Sequence, residues 1–425
     1  MLILYNFGIK IYSFLLFVFH FFNKKAKLFV NGRRNIFETI DKEVDRRSKS
    51  TWFHFASLGE FEQGRPVMEK YKEVFPDKKI IVTFFSPSGY ELRKNYTGAE
   101  HIYYLPLDTK SNAQRFINLI NPELAIFTKY EYWYHYFKTL NDKHIPLYII
   151  SGIFRDSQPF FKWYGSLNRK ILGLVSHFFV QDEGSKKLLE TIHINNVSVS
   201  GDTRFDRVAE NAASPKQFKI VEDFCGDANV FVAGSTWSED EKLITELVKD
   251  YSSWKFIIAP HEIKDDKIKA LISWMPDGSA LRYSEIGDLK PEGAGQRPEA
   301  GSLTSGLKPL ASVLIIDNIG MLSSLYQYGK IAYIGGGFGV GIHNTLEAAA
   351  FGVPVIFGPN YQKFLEAKAL IANGGGFTIS NGTELQQTMQ KLQNESERQA
   401  AGRAAGQYVQ KSKGATEIIL DFIKN

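Results

Sequence analysis

The sequence predicts an α/β protein built from two doubly wound halves, and three observations lead there. Apolar runs rich in β-branched and aromatic residues alternate with helical patterns at Trp52–Ala56, Lys79–Phe84, Leu124–Phe127, Pro146–Ile150 and Phe178–Val180. The series then restarts at Phe231–Gly234, Phe256–Pro260, Ser312–Ile316, Lys330–Ile334 and Pro354–Phe357. Finally, 425 residues exceed a single common domain. Open α/β sheets bind ligands beyond the carboxyl ends of their strands, so the two halves are expected to face a common central cleft.

Taken in order, the chain begins with an overwhelmingly apolar stretch, Leu2 to Phe22, interrupted by Asn6, Lys10, Ser13 and His20. Its length approaches the roughly 20 residues that cross a bilayer. It has no small-residue cleavage site and is read as a retained membrane anchor. Lys24, Lys25, Lys27, Arg33 and Arg34 follow before the first acid, Glu38, which puts the body on the cytoplasmic side. Lys10 is costly in a spanning helix, so an interfacial helix with the basic flank on anionic headgroups stands as the alternative. The expected division is 1–34 for anchor and flank, 35–210 for the first Rossmann-like domain, 211–405 for the second and 406–425 for a C-terminal helix. The break near Ala212-Ala213-Ser214-Pro215 sets the middle boundary. Residues 285–309, loaded with Gly, Pro and Ser, read as a long exposed loop.

Composition narrows the function classes. The chain is 44% hydrophobic and 23% charged, which supports a packed core, and its net charge of +5 is concentrated near the N-terminus rather than spread over a nucleic-acid surface. A single cysteine, Cys225, excludes an intrachain disulfide or a cysteine metal cluster and reads as a small buried hydrophobe.

The most informative segment runs from Gly335 to Pro359: a glycine cluster containing Gly339, then Asn344 near a helix start, Glu347 one turn in, and a return strand closed by Gly-Pro. Glycines let backbone approach a phosphate, a helix start offers unpaired N–H groups, and a nearby carboxylate accepts hydrogen bonds from a ribose diol. A dinucleotide-binding unit would place its glycines after the first strand and its acid roughly 20 residues on, so hydride chemistry is disfavoured. Tight turns and helix–strand packing explain such glycines equally well when taken alone.

Four shorter segments carry further candidates. Glu60, after the first strand of the body, is placed as a general base for a hydroxyl or as a carboxylate favoured by the helix dipole. Glu131, within Lys129-Tyr130-Glu131-Tyr132-Trp133, suits a carbohydrate face, the alternative being an aromatic helix packed on the core. Ser235 and Thr236 form a phosphate nest or an N-cap. His261, ending another strand, contacts a nucleotide or is structural. Metal-ligand spacing is absent, and no Asp-x-Asp pair follows a strand.

Together and in order, Ala56-Ser57-Leu58-Gly59-Glu60, Lys129-Tyr130-Glu131-Tyr132-Trp133, Ser151-Gly152-Ile153-Phe154, Gly201-Asp202-Thr203-Arg204-Phe205-Asp206, Gly234-Ser235-Thr236-Trp237, Ala259-Pro260-His261 and His343-Asn344-Thr345-Leu346-Glu347-Ala348 resemble the Kdo (3-deoxy-D-manno-octulosonic acid) transferases of lipopolysaccharide assembly. The resemblance implies a GT-B glycosyltransferase fold of two Rossmann-like domains around a cleft, with an N-terminal membrane-anchor helix at the cytoplasmic face of the inner membrane. It implies CMP-Kdo as donor and a lipid A precursor as acceptor; with attack opposite a departing phosphate monoester, the residues then lead to the expectation of inversion without a metal or other cofactor. It also implies Glu60 as general base, Glu131 as an acceptor-side acid, and Ser235, Thr236, Asn344 and Glu347 on the CMP moiety, and the residue readings above add His261 and Gly339 to the donor site. Arg204 is a candidate phosphate or acceptor contact. The chain departs from the pattern at Lys129-Tyr130-Glu131-Tyr132-Trp133-Tyr134, where the family often has Glu-Thr-Glu-Leu-Trp-Pro, and at His261-Glu262-Ile263, where it has an Arg-His-Pro-like run. A UDP-sugar transferase or nucleotide-sugar epimerase of the same fold is the alternative, and a membrane-tethered scaffold with a vestigial pocket is a more distant one.

Overall fold

The computed structural model describes residues 1–286 and 311–425, so the loop expected over 285–309 lies outside the described residues except for Glu285 and Ile286, which end the short helix Tyr283–Ile286. The chain divides into two compact units, Met1–Arg207 with Lys413–Asn425, and Val208–Ser412.

The first unit is a seven-stranded sheet in the order β3-β2-β1-β4-β5-β6-β7, with every pairing parallel. Its strands are β1 (Ser50–Phe55), β2 (Lys79–Phe84), β3 (His101–Tyr104), β4 (Pro122–Thr128), β5 (Leu147–Gly152), β6 (His177–Val180) and β7 (Val197–Val199). The five strands expected here all form. The central ones are buried on both faces, as continuous apolar runs such as Trp52-Phe53 and Ala125-Ile126-Phe127 require. One face packs on the Trp52, Phe116 and Tyr136 cluster, the other on Phe53, Phe61 and Val67.

The C-terminal tail is two helices, Glu395–Ser412 and Ala415–Lys424, where a single helix was expected over 406–425. Gly414, in the left-handed region, breaks them apart. The second helix returns to the first unit and packs Ile419 and Leu420 beside the helix Leu58–Val74. Asp206 fixes that return by accepting hydrogen bonds from Gly414 N (2.5 Å), Thr416 N (2.8 Å) and Thr416 Oγ1 (2.8 Å).

The second unit repeats the plan among the described residues, in the order β10-β11-β9-β8-β12-β13-β14 and again all parallel. Its strands are β8 (Asn229–Thr236), β9 (Trp254–Pro260), β10 (Ala280–Arg282), β11 (Val313–Ile315), β12 (Ile331–Ile334), β13 (Val355–Phe357) and β14 (Gly376–Thr378). Cys225 is buried there, and burial pushes its thiol up to about 12, so it is the inert apolar side chain expected.

The N-terminal stretch forms one helix, Leu2–Phe19, long and apolar enough to cross a membrane. In the basic flank, Arg33 departs from the expected headgroup-facing role. Its guanidinium turns inward, donating to Leu105 O (2.8 Å), Phe85 O (2.6 Å) and Phe29 O (3.0 Å) and lying 3.5 Å from the Phe29 ring centroid, and burial lowers its pKa to about 9. The surrounding carbonyls and rings hold Arg33 as a structural clamp. Lys24, Lys25, Lys27 and Arg34 remain exposed.

Candidate functional site

In a doubly wound sheet the strand order reverses at one place, and the loops leaving the two strands there diverge and open a crevice. In the first unit that place lies between β1 and β4. Glu60 follows β1 and Glu131 follows β4, so the topology sets both acids at the switch point.

Glu60 occupies the first turn of the helix Leu58–Val74, whose N-cap is Ser57. The Ser57 hydroxyl donates to Glu60 Oε2, fixing the carboxylate at the helix start, and the side chain stays half-buried. Glu131 lies in the extended segment that follows a turn at Lys129, a non-glycine residue with φ +60°. The helix there begins only at Tyr134, so the aromatic-helix alternative for Lys129–Trp133 does not hold. Glu131 Oε2 accepts from Trp133 Nε1 (2.8 Å) and meets His54 Nε2 at 3.3 Å, leaving Oε1 without a donor among the described residues.

Behind these acids lies a network that sequence reading left unassigned. Ser151, also left-handed at φ +52°, meets the Thr203 hydroxyl at 2.8 Å, and Thr203 in turn donates to Gln63 O. Gln63 Nε2 donates to Asp202 Oδ1 at 2.7 Å. Arg204 pairs with Asp202 Oδ2 through Nε (2.8 Å) and its terminal nitrogen (2.7 Å). Burial pushes the Asp202 carboxyl up, but Arg204 outweighs it and the net shift is downward. This network ties the Glu60 helix to the ends of β5 and β7, and it commits much of the Arg204 guanidinium to Asp202.

The second unit has its switch between β8 and β12. There β8 bulges at Ser235, which holds φ +55°, a strained conformation for a side-chain-bearing residue and one that proteins retain mainly at functional sites. The nest expected from two hydroxyls is not formed. Thr236 is 1% exposed and its hydroxyl donates to Glu241 Oε1 (3.0 Å), while the N-cap of the helix Ser238–Asp250 is Trp237. A strand that continues through Thr236 buries that side chain, so Ser235 alone keeps a partly accessible hydroxyl.

Asp240 organises the glycine segment. Though 1% exposed, it accepts hydrogen bonds from Trp237 N (2.9 Å), Gly336 N (2.9 Å) and the Tyr333 hydroxyl (2.7 Å), and burial raises its pKa. The only trace of it in the sequence is the acidic run Glu239-Asp240-Glu241. The glycines allow close backbone crossing: a Cβ on Gly335 would stand 2.3 Å from Ser235 O, and one on Gly337 would stand 2.6 Å from the Gly358 backbone. Gly339 is exposed at the tip, where its carbonyl accepts from Asn360 Nδ2 (2.8 Å).

The helix expected at Asn344–Glu347 is one turn, Leu346–Ala349. Asn344 precedes it, taking Leu346 N on Oδ1 (3.1 Å) and donating from Nδ2 to Glu347 Oε1 (3.1 Å). Next to them the Thr345 hydroxyl is fully buried with no hydrogen-bond partner among the described residues. His261 is exposed and stacks between Trp237 and His343, with ring centroids 4.6 Å away on each side. Trp237 Nε1 donates to His343 Nε2 at 3.2 Å, which fixes that nitrogen as unprotonated, and burial together with His261 lowers the His343 pKa. Sequence reading found His261 but not its two stacking partners. Ser235, His261, Gly339, Asn344 and Glu347 thus gather at the carboxyl ends of β8, β9 and β12. Among the described residues no group of three or more His, Cys, Asp and Glu side chains is placed to hold a metal ion.

Two doubly wound parallel sheets in tandem, each with its motif loops at the switch point, define a protein of the GT-B-like α/β class. UDP-GlcNAc 2-epimerase from Neisseria meningitidis shares the fold, with a TM-score of 0.61 at 16% identity over 88% of this chain and 100% of that one. Residues 31–207 match the family model described as 3-deoxy-D-manno-octulosonic-acid transferase (kdotransferase). The 3-deoxy-D-manno-octulosonic acid transferase of Aquifex aeolicus is 27% identical over 343 residues, 79% of this chain and 83% of that protein. A bifunctional glycosyltransferase/methyltransferase of Fusobacterium nucleatum is 25% identical over 387 residues, covering 88% of this chain, which spans only 57% of that relative's length. Over residues 31–207 the chain matches the Kdo transferase family model, and over most of its length it is similar to curated Kdo transferases at 25–27% identity.

Proposed function

We propose that this protein transfers Kdo from CMP-Kdo to the glucosamine disaccharide of a lipid A precursor, with inversion and without a metal, at the cytoplasmic face of the inner membrane. The observation that carries the reading is the family match across residues 31–207, which contains Glu60 and Glu131. Glu60 takes the proton of the attacking acceptor hydroxyl, and Glu131 orients the acceptor through its unengaged oxygen. An acceptor arriving on the face opposite the departing CMP inverts the ketosidic centre. CMP leaves as a phosphate monoester, and Ser235, Asn344 and the backbone N–H groups around Gly339 offset its charge by hydrogen bonding, with Glu347 on the ribose and His261 beside the nucleotide. The apolar N-terminal helix keeps the enzyme where an acylated acceptor resides, which raises their effective concentration.

Incubation with CMP-Kdo and a tetraacyl disaccharide precursor, in buffer with EDTA, tests the whole reading. It predicts free CMP and an acceptor heavier by Kdo. Turnover of a UDP-sugar with no use of CMP-Kdo would replace it with the alternative reaction, and transfer that stops with EDTA would remove metal independence alone.

A further inference from the structure

The helix Leu2–Phe19 lies with one face against the first unit, Leu2 and Tyr5 packing on its core and Tyr12 on Phe85. Its partly buried positions are Leu2, Tyr5, Ile9, Ser13 and Leu16, continued by His20, a spacing of three and four residues that marks one helical face. Polar contacts fix its first turns: the Tyr5 hydroxyl donates to Asp108 Oδ2 (2.5 Å), and Asn6 Oδ1 lies 2.7 Å from His135 Nε2. Further along, Tyr12 stacks on Phe85. The opposite face carries Ile3, Leu4, Phe7, Phe14 and Phe17, each between 56% and 83% exposed. A helix fastened to a folded body through its first turns and again at Tyr12 is held against that body's surface, and its outward apolar face can enter one leaflet.

Beneath the first turns of this helix is a cavity of 560 Å³ that joins two chemistries. Met1, Leu4, Leu167 and Ile171 supply an apolar wall, and Tyr130, Glu131, Tyr132 and Trp133 supply a polar end. The Tyr132 hydroxyl there is buried with no hydrogen-bond partner among the described residues. Leu4 belongs both to the cavity and to the exposed apolar face, so the wall is continuous with the surface that meets lipid. The loop leading into the cavity-lining helix Ser166–Leu172 presents Trp163, 91% exposed, and Tyr164, a pairing suited to the headgroup layer.

We propose that the Leu2–Phe19 helix lies flat in the leaflet as one wall of the acceptor site, and that an acyl chain of the acceptor runs between Leu4 and Leu167 while its sugar reaches Glu131. The proposal rests on the reading of the acceptor as a lipid-linked disaccharide. Asp108 links the two parts: besides Tyr5 it accepts from His135 N and Tyr136 N (each 3.0 Å), at the start of the helix that follows Trp133.

The test uses the full chain and two acceptors, the acylated disaccharide and its deacylated counterpart. Leu4→Trp, at a site 67% exposed and therefore tolerant, and Leu167→Trp narrow the apolar wall. Each is expected to raise KM for the acylated acceptor about tenfold, the scale of a changed apolar contact, and to leave KM for the deacylated one unchanged. Equal effects on both acceptors, or none on either, would overturn the proposal. A wild-type enzyme that uses neither acceptor would instead defeat the transferase reading itself. Spin labels at Phe7 and Val18 in vesicles of anionic phospholipid give the second readout. Equal depths support the flat helix, and depths differing by about 16 Å, the rise of eleven helical residues, overturn it.

Discussion

Replacing Asp240 with alanine should destabilise the Val208–Ser412 unit, because this carboxylate ties the glycine loop to the helix Ser238–Asp250. The carboxylate accepts from two backbone N–H groups and one phenol at 2.7–2.9 Å, in a position 1% exposed. Leaving a buried donor unpaired costs about 1–3 kcal/mol, so three orphaned donors set an upper bound of roughly 9 kcal/mol. Water entering the vacated space re-pairs part of this, and removal of a carboxylate whose burial raises its pKa offsets part of the rest. A net loss of about 2–4 kcal/mol follows, a large share of the roughly 5–15 kcal/mol typical of a folded domain. Asp240→Asn keeps one carbonyl oxygen for Trp237 N and Gly336 N and turns its NH2 toward the Tyr333 oxygen, so it should lie within about 1 kcal/mol of wild type. Urea unfolding followed by far-UV circular dichroism reads both variants, provided the transitions of the two units are fitted separately. An alanine variant as stable as wild type, or an asparagine variant as damaged as alanine, would refute the reasoning.

Three further outcomes are expected. Glu60→Gln should lower kcat by about 10²–10⁴ with little change in melting temperature, and a variant at wild-type rate would remove the base assignment. Gly337→Ala should fail to accumulate as folded protein, because its Cβ meets the Gly358 backbone at 2.6 Å and neither segment is a flexible side chain; a normal circular dichroism melt contradicts this. His343 has its pKa lowered by burial and by His261, so below its ordinary value of 6.5 the unfolded chain takes up the proton more readily than the native one. Stability from this residue is therefore present above 6.5 and lost as pH falls through the lower folded pKa. Comparing thermal shift for wild type and His343→Gln over that interval should show a steeper fall in wild type, and parallel curves count against it.

Ten strands were legible in the sequence because central strands of a parallel sheet are buried on both faces and read as unbroken apolar runs. The four missed ones, β3, β7, β10 and β14, are the outer strands of the two sheets, only three or four residues long, and include polar residues such as His101, Ser198, Arg282 and Thr378. The positions of Glu60 and Glu131 were legible for a related reason, since each follows an apolar strand directly. Thr236 and Arg33 were misread because a hydroxyl or a guanidinium has the same letter whether it faces a ligand or an internal partner. Asp240, Asp202 and the His343 stack were invisible to spacing, since their partners lie about 100 or more residues away along the chain for the key contacts Gly336, Gln63 and Trp237.

The account stands or falls on which activated sugar the enzyme consumes. Mass analysis of a tetraacyl disaccharide incubated with purified enzyme and CMP-Kdo should show the acceptor extended by Kdo with CMP released, and the Glu60→Gln enzyme should not produce it at a comparable rate. An unchanged acceptor under these conditions, alongside turnover of a UDP-linked sugar, would contradict the central claim.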